Sequence, residues 1–276
     1  MKKTLIAAAV AGALAAPGIA LAQAAAEPAS PHTLTANVGV VSDYLFRGIS
    51  QTKGAPAIQG GVDYSHASGF YAGTWLSSVS WVSDAQGGSY PTEIDVYGGF
   101  KNSFGEDMGY DVGLVTYNYP GSGRDSSAFV SPFTAEVYGA LSWKFLTVKY
   151  SHVVSQNFVG WGTSGSSNTY SKNSGYLELN AAYDLGEGWG ISAHVGHQKV
   201  KNSDDDNAPS GYNASYTDWN VGVTKDVGFG VVGLKYSQTD ANTCGDATGG
   251  AAYCWGPNLD YNAAKGRAVV SFTKSF

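Results

Sequence analysis

Long apolar runs are scarce in this 276-residue chain. The one that exists opens it, where Lys2-Lys3 is followed by Leu5-Ile6-Ala7-Ala8-Ala9-Val10-Ala11-Gly12-Ala13-Leu14-Ala15-Ala16. At about a dozen residues this run is too short for a helix that crosses a bilayer, which takes about 20. The basic start, the apolar core and the small-residue triplet Ala20-Leu21-Ala22 predict a secretory signal peptide over 1–22, cut to leave Gln23 at the front. No cysteine stands at the cut to carry a lipid. No later stretch reaches 18 consecutive apolar residues, which excludes helical membrane spans. If the mature chain enters a membrane, it does so as a closed barrel.

Basic residues are also few. The formal charge of −6 becomes −8 once Lys2 and Lys3 leave with the signal peptide (−6 − 2), and an acidic chain with scattered bases excludes nucleic acid as a partner. No nucleophile elbow, P-loop or dinucleotide fingerprint is present, so no cofactor and no enzymatic activity are expected. Glycine and aromatics are abundant: 37 glycines, of which Gly12 and Gly18 belong to the signal peptide, with 18 tyrosines, 7 tryptophans and 11 phenylalanines. Glycine weakens helices and aromatic residues favour strands.

From Thr33 onward, apolar and polar residues alternate with period two in segments of about ten residues, the pattern of a transmembrane barrel. Over 92–103, Ile94, Val96, Gly98 and Phe100 share one face, while Glu93, Asp95, Tyr97 and Lys101 share the other. Segments 133–145 and 176–185 repeat the arrangement. The full set is 33–47, 56–66, 69–81, 92–103, 107–119, 133–145, 146–156, 174–185, 188–200, 214–226, 228–239 and 264–276. This predicts an all-β, antiparallel up-and-down transmembrane barrel of about 12 strands over 33–276, preceded by a short periplasmic segment, 23–32. Connections after even-numbered strands are tiny and those after odd-numbered strands are long, as expected for periplasmic turns and outer loops. Aromatics near strand ends (Tyr44, Phe46, Trp75, Trp81, Tyr117, Tyr119, Trp143 and Trp189) read as interfacial girdles. A secreted soluble β-sandwich is the competing fold; it also alternates, but has no reason for the long-loop, short-turn asymmetry.

The segment Ser42-Asp43-Tyr44-Leu45-Phe46-Arg47-Gly48-Ile49-Ser50-Gln51-Thr52, with Cys254-Trp255-Gly256 and the terminal Phe276, resembles the TorF family of porins, also known as the Gcw_chp family of proteobacterial outer-membrane proteins. The resemblance spans the mature length and is sharpest in those eleven residues. It implies a bacterial outer-membrane barrel that passes small solutes, and it brings no catalytic residue. Continuing the outward phase of Leu34, Ala36, Val38 and Val40 along the motif sets Tyr44 and Phe46 toward lipid, and Asp43 and Arg47 inward. Phe276 on the alternating last strand resembles the signal that outer-membrane barrels present to their assembly machinery. The other expected partners are outer-membrane lipid, lipopolysaccharide and small solutes.

The same phase projects ten acids inward (Asp43, Asp63, Glu93, Asp95, Asp111, Glu136, Glu178, Asp184, Asp218 and Asp226) with six bases (Arg47, Lys101, Lys144, Lys149, Lys235 and Arg267). Charges are not left unpaired in a dry core, so this lumen is either wet or densely paired. The first case is a cation-leaning pore for small hydrophilic solutes or ions. The second is a plugged barrel with a structural or adhesive role. Cys244 and Cys254, in an exported chain, read as a disulfide that stabilises its loop by about 2–3 kcal/mol, with a metal site as the weaker alternative. Asp204-Asp205-Asp206 reads as a solvated acidic loop rather than a calcium site. His152 projects to the lipid side and reads as a girdle residue; the alternative is the base of a lipid hydrolase. His194 projects inward.

Overall fold

The computed structural model describes residues 30–123, 130–162, 170–203, 213–241, 244, 252–255 and 260–276. The signal peptide, most of the 23–32 segment and the Asp204-Asp205-Asp206 run lie outside the described residues. Twelve long strands form one closed barrel. They are β1 (His32–Val41), β2 (Ala57–His66), β3 (Phe70–Ser78), β4 (Thr92–Phe104), β5 (Met108–Asn118), β6 (Thr134–Trp143), β7 (Leu146–Val153), β8 (Gly175–Gly186), β9 (Trp189–Lys199), β10 (Tyr216–Asp226), β11 (Val231–Thr239) and β12 (Arg267–Ser275). Each pairs antiparallel with its neighbours in sequence, and β12 closes on β1 through Val38↔Lys274 and Val40↔Phe272. The terminal residue completes the seam, since Ala36 and Phe276 exchange two backbone hydrogen bonds. Closure leaves no strand edge unpaired, which is what a hydrocarbon environment demands.

The alternation has a direct physical outcome. Every barrel strand turns large apolar side chains outward, among them Leu34, Ile58, Val112, Leu141, Leu234 and Val270. Such a continuous apolar belt is far larger than soluble proteins expose. At the short-turn end it is edged by the exposed aromatics Phe104, Trp143, Phe145 and Trp189. Lys144 stands over Trp143 and Lys225 over Trp189 at 5.1 and 5.0 Å. Among the described residues no helix is long and apolar enough to cross a membrane.

Most strand boundaries fall within three residues of those predicted. The first is the exception: β1 stops at Val41, where a strand to 47 was expected. From Ser42 the chain leaves the wall and turns into the barrel mouth. Tyr44 and Phe46, expected against lipid, are 4% and 7% exposed and lie inside.

Candidate functional site

The segment 42–56 connects β1 to β2 at the long-loop end, and its centre is a small hairpin, Leu45–Phe46 paired with Ile49–Ser50. Arg47 and Gly48 make its two-residue turn, both with positive φ (47° and 81°). That is the backbone a tight hairpin needs, and glycine supplies one of the two positions without strain. The tip is also tight: a Cβ on Gly48 would meet Thr239 Cγ2 at 2.5 Å and Asp218 Cβ at 2.9 Å.

Two polar side chains of the segment, Arg47 and Tyr44, find hydrogen-bond partners on distant strands, and Asp43 is held largely from within it. The Arg47 guanidinium donates to both carboxylate oxygens of Glu136 on β6, at 3.0 and 2.7 Å, and to Gln198 Oε1 on β9 at 2.6 Å. It also lies over the rings of Tyr176, Phe46 and Phe158, at 4.2, 4.8 and 5.6 Å. Burial opposes its charge, and Glu136 with Tyr117 and Tyr176 outweighs that penalty, so the guanidinium stays charged. Tyr44 donates its hydroxyl to Glu93 on β4 at 2.6 Å. Burial, then Glu93 and Asp95, pushes that phenol well above its ordinary range, fixing it as a donor. Asp43 accepts from Ser50 and Thr52 at 2.6 and 3.0 Å and stands 3.3 Å from Arg267 of β12. Burial raises the Asp43 carboxyl above its ordinary value, and these neighbours only partly offset it.

Other long connections pack over the hairpin. A short helix, Trp81–Gln86, places Trp81 edge-on to Tyr119 and beside Trp255. Tyr253 meets Trp161 and Tyr216 in edge contacts and donates its hydroxyl to the Ala214 carbonyl at 2.6 Å. Cys244 and Cys254 are joined as a disulfide in this cap. Trp75, Trp81 and Tyr117, expected in the girdle, are therefore buried in an apolar cluster at the mouth. An aromatic near a strand end satisfies a lipid interface and a loop cap equally well, so alternation alone does not separate them.

Below the cap the interior is polar, and its two halves differ. Strands β2 to β6 supply five inward carboxylates: Asp63, Glu93, Asp95, Asp111 and Glu136. Tyrosines hold two of them, with Tyr97 donating to Asp63 at 2.5 Å and Tyr71 to Asp111 at 2.6 Å. The Tyr71 and Tyr138 hydroxyls also meet. Lys101 sits over Tyr71 at 5.1 Å, toward the short-turn end. Strands β7 to β12 supply Lys149, Lys235 and Arg267 against Glu178 and Asp218. Lys149 pairs with Glu178 at 3.9 Å and covers Tyr138. His194 bridges Asn180 Oδ1 at 2.7 Å and Asp218 Oδ2 at 3.1 Å, and Tyr176 donates to Asp218 at 2.7 Å. A chamber of about 350 Å³ lies against this second half and the hairpin.

Large rings would fill a barrel this size if they stood toward its axis. Here they lie flat against glycines of neighbouring strands. A Cβ on Gly73 would meet the Tyr97 ring at 2.6 Å, one on Gly113 the Tyr138 hydroxyl at 2.7 Å, and one on Gly196 the Tyr176 hydroxyl. Glycine inside a strand marks such a close approach.

Three projected charges are placed otherwise. Lys144, expected inside, occupies the turn between β6 and β7 with φ 54° and reaches Asp107 at 3.7 Å, because the strand ends at Trp143. Asp184 and Asp226 accept backbone N–H bonds from Gly186 and Gly228 at the short turns. His152 does face outward; its ring nitrogens meet Tyr150 Oη and Asn173 Oδ1, both at 3.3 Å, rather than a serine. Gln198, Tyr71, Tyr138 and Tyr176 were not singled out in the sequence, although the same period-two phase turns them inward. Attention to charge alone passed over them.

A family model described as a bacterial protein of unknown function (Gcw_chp) matches residues 25–276. Its description carries no TorF name. No curated protein matches the chain. Among solved structures, the KdgM porin in complex with disordered oligogalacturonate is similar at a TM-score of 0.50 and 9% identity, over 88% of this chain and 99% of that one. The NanC porin follows at 0.47 and 11%, over 88% and 99%. OprD from Pseudomonas aeruginosa stands at 0.40 and 11%, over 88% of this chain and 66% of its own. At 9% identity the KdgM likeness is one of fold.

Proposed function

The chain belongs to the Gcw_chp family, and we propose that it works in the bacterial outer membrane as a porin-like channel for small hydrophilic solutes or ions, not as an enzyme. The observation that carries this reading is a closed barrel with hydrocarbon-seeking side chains on every strand outside and a charged chamber of about 350 Å³ within. Asp63, Asp111, Lys149 and Lys235 are partly exposed on the inner wall; such charges need water, and water inside a closed wall is a path. The long loops face the cell exterior and the short turns the periplasm. The belt contacts lipid and lipopolysaccharide, and Phe276, 67% exposed beside Lys274, is the residue offered to the assembly machinery.

The residues proposed to line the path are Asp63, Asp111, Glu178, Asp218, Lys101, Lys149, Lys235 and Arg267 on the wall; Glu93, Asp95 and Glu136, buried while the hairpin is docked, join them where it leaves the mouth. Asp43 and Arg47 line it from the hairpin, and Lys144 is not among them. With those three counted, seven wall acids against four wall bases favour cations. The hairpin narrows the mouth, so conductance is expected to be small. Planar-bilayer recording of refolded protein tests the proposal: discrete channel events with potassium preferred over chloride are expected, and no events in any salt would overturn it.

A further inference from the structure

In the chamber beneath the hairpin, the acids already have partners. Asp43 is held by Ser50, Thr52 and Arg267. Glu178 is held by Lys149 and Asn180, and Asp218 by Tyr176 and His194. Arg47 belongs to Glu136. Lys235 alone among the chamber's cations has neither an ion pair nor a hydrogen bond among the described residues. The acid whose charge it feels, Asp218, is already satisfied. Its neighbours across the ladder are Gly222 and Val269, neither of which offers a side-chain acceptor. Around it the chamber wall carries Ser192, Asn220, Ser237 and Ser271, neutral groups that both donate and accept. A partly buried ammonium that faces a cavity, and whose one charged neighbour is already shared between Tyr176 and His194, is a place for an anion from solution.

We infer that Lys235 and the surrounding serines and Asn220 form a binding subsite for a small hydroxylated carboxylate, its carboxylate on the Lys235 ammonium and its hydroxyls on the neutral side chains. A carboxylate suits the site because one ammonium matches one negative charge, whereas a polyanion would meet Asp218, Glu178 and Asp43. The chamber volume is within the range of small-molecule sites. The inference rests on the channel reading only for the route by which the solute arrives, and binding can be measured without conduction.

The test is calorimetric titration of the detergent-solubilised full chain with sodium gluconate, with sorbitol as the uncharged polyol of similar size. Gluconate is expected to bind the natural protein and Lys235→Arg, and to bind Lys235→Gln about tenfold more weakly, the size of one charge-assisted hydrogen bond. Sorbitol is expected to bind all three weakly and alike. Heat-modifiable gel migration confirms that each variant is a folded barrel. Equal gluconate affinity in folded Lys235→Gln, or no gluconate binding by the natural protein, overturns the subsite. Loss of channel events in a bilayer with gluconate binding intact would instead overturn the channel and leave the subsite standing.

Discussion

The mouth and the lumen of this barrel are made from the same residue types and handle charge in opposite ways. At the mouth, Arg47, Glu136, Tyr44 and Glu93 are buried and matched to fixed partners from strands far apart in sequence. In the lumen, Lys149 and Lys101 are less covered, and their contacts, 3.9 Å to Glu178 and 5.1 Å to the Tyr71 ring, are longer and looser. The difference comes from one inserted hairpin, which brings its own donors and apolar rings and so excludes water where it docks. A barrel interior is thus sealed or wet according to what fills it, not according to the composition of its wall.

The comparison is broken most directly at Arg47. Arg47→Ala leaves Glu136 buried without its counter-charge, a loss of about 3–5 kcal/mol for a pair of this kind. The hairpin is then expected to undock, exposing 42–56 to protease and raising single-channel conductance. Lys at the same position keeps the charge but loses the two-pronged geometry and should fall between. Unchanged protease protection and conductance in Arg47→Ala would show that the apolar cluster, not the ion pair, seats the hairpin.

A smaller effect is expected from the wall. Gly196→Ala puts a methyl group where the Tyr176 hydroxyl lies, so the ring must swing away and release Asp218 and His194. Overpacking of this sort costs about 1–3 kcal/mol, readable as a lower urea midpoint in lipid vesicles. The displaced ring also enters the chamber, so conductance should fall; a rise would mean that the ring does not border the path.

The smallest effect is one of pH. The docked hairpin raises the Asp43 carboxyl above its ordinary value of 3.8, through burial first. Docking therefore prefers the protonated acid: that contribution is present in full below about pH 4 and fades as pH rises through the raised value. Conductance should decrease on acidification, and Asp43→Asn should flatten that part of the response. An identical profile in Asp43→Asn would remove this carboxyl as its source.

Much of the architecture was legible in the chain. The alternation in 92–103 gave β4 almost residue for residue, because each side chain there meets a different solvent from its neighbour. The motif Ser42–Thr52 was legible as something unusual but not as a hairpin, since Tyr44 and Phe46 continue the apolar phase of β1, which only Ser42 interrupts. A clue was present in Arg47-Gly48, a pair suited to a turn with positive φ, set between Leu45-Phe46 and Ile49-Ser50. Lys144 was misplaced for the reason that limits any periodic reading: one residue past the strand, phase no longer has meaning.

What the sequence by itself determined is the twelve-fold alternation and the contrast of long and short connections, because period-two patterning is local and lipid and water sort it strand by strand. What only the tertiary structure decided is where the first loop goes. Its anchors, Glu136 and Gln198, lie 89 and 151 residues from Arg47, and their attraction exists only after the barrel has closed and brought both to the same mouth.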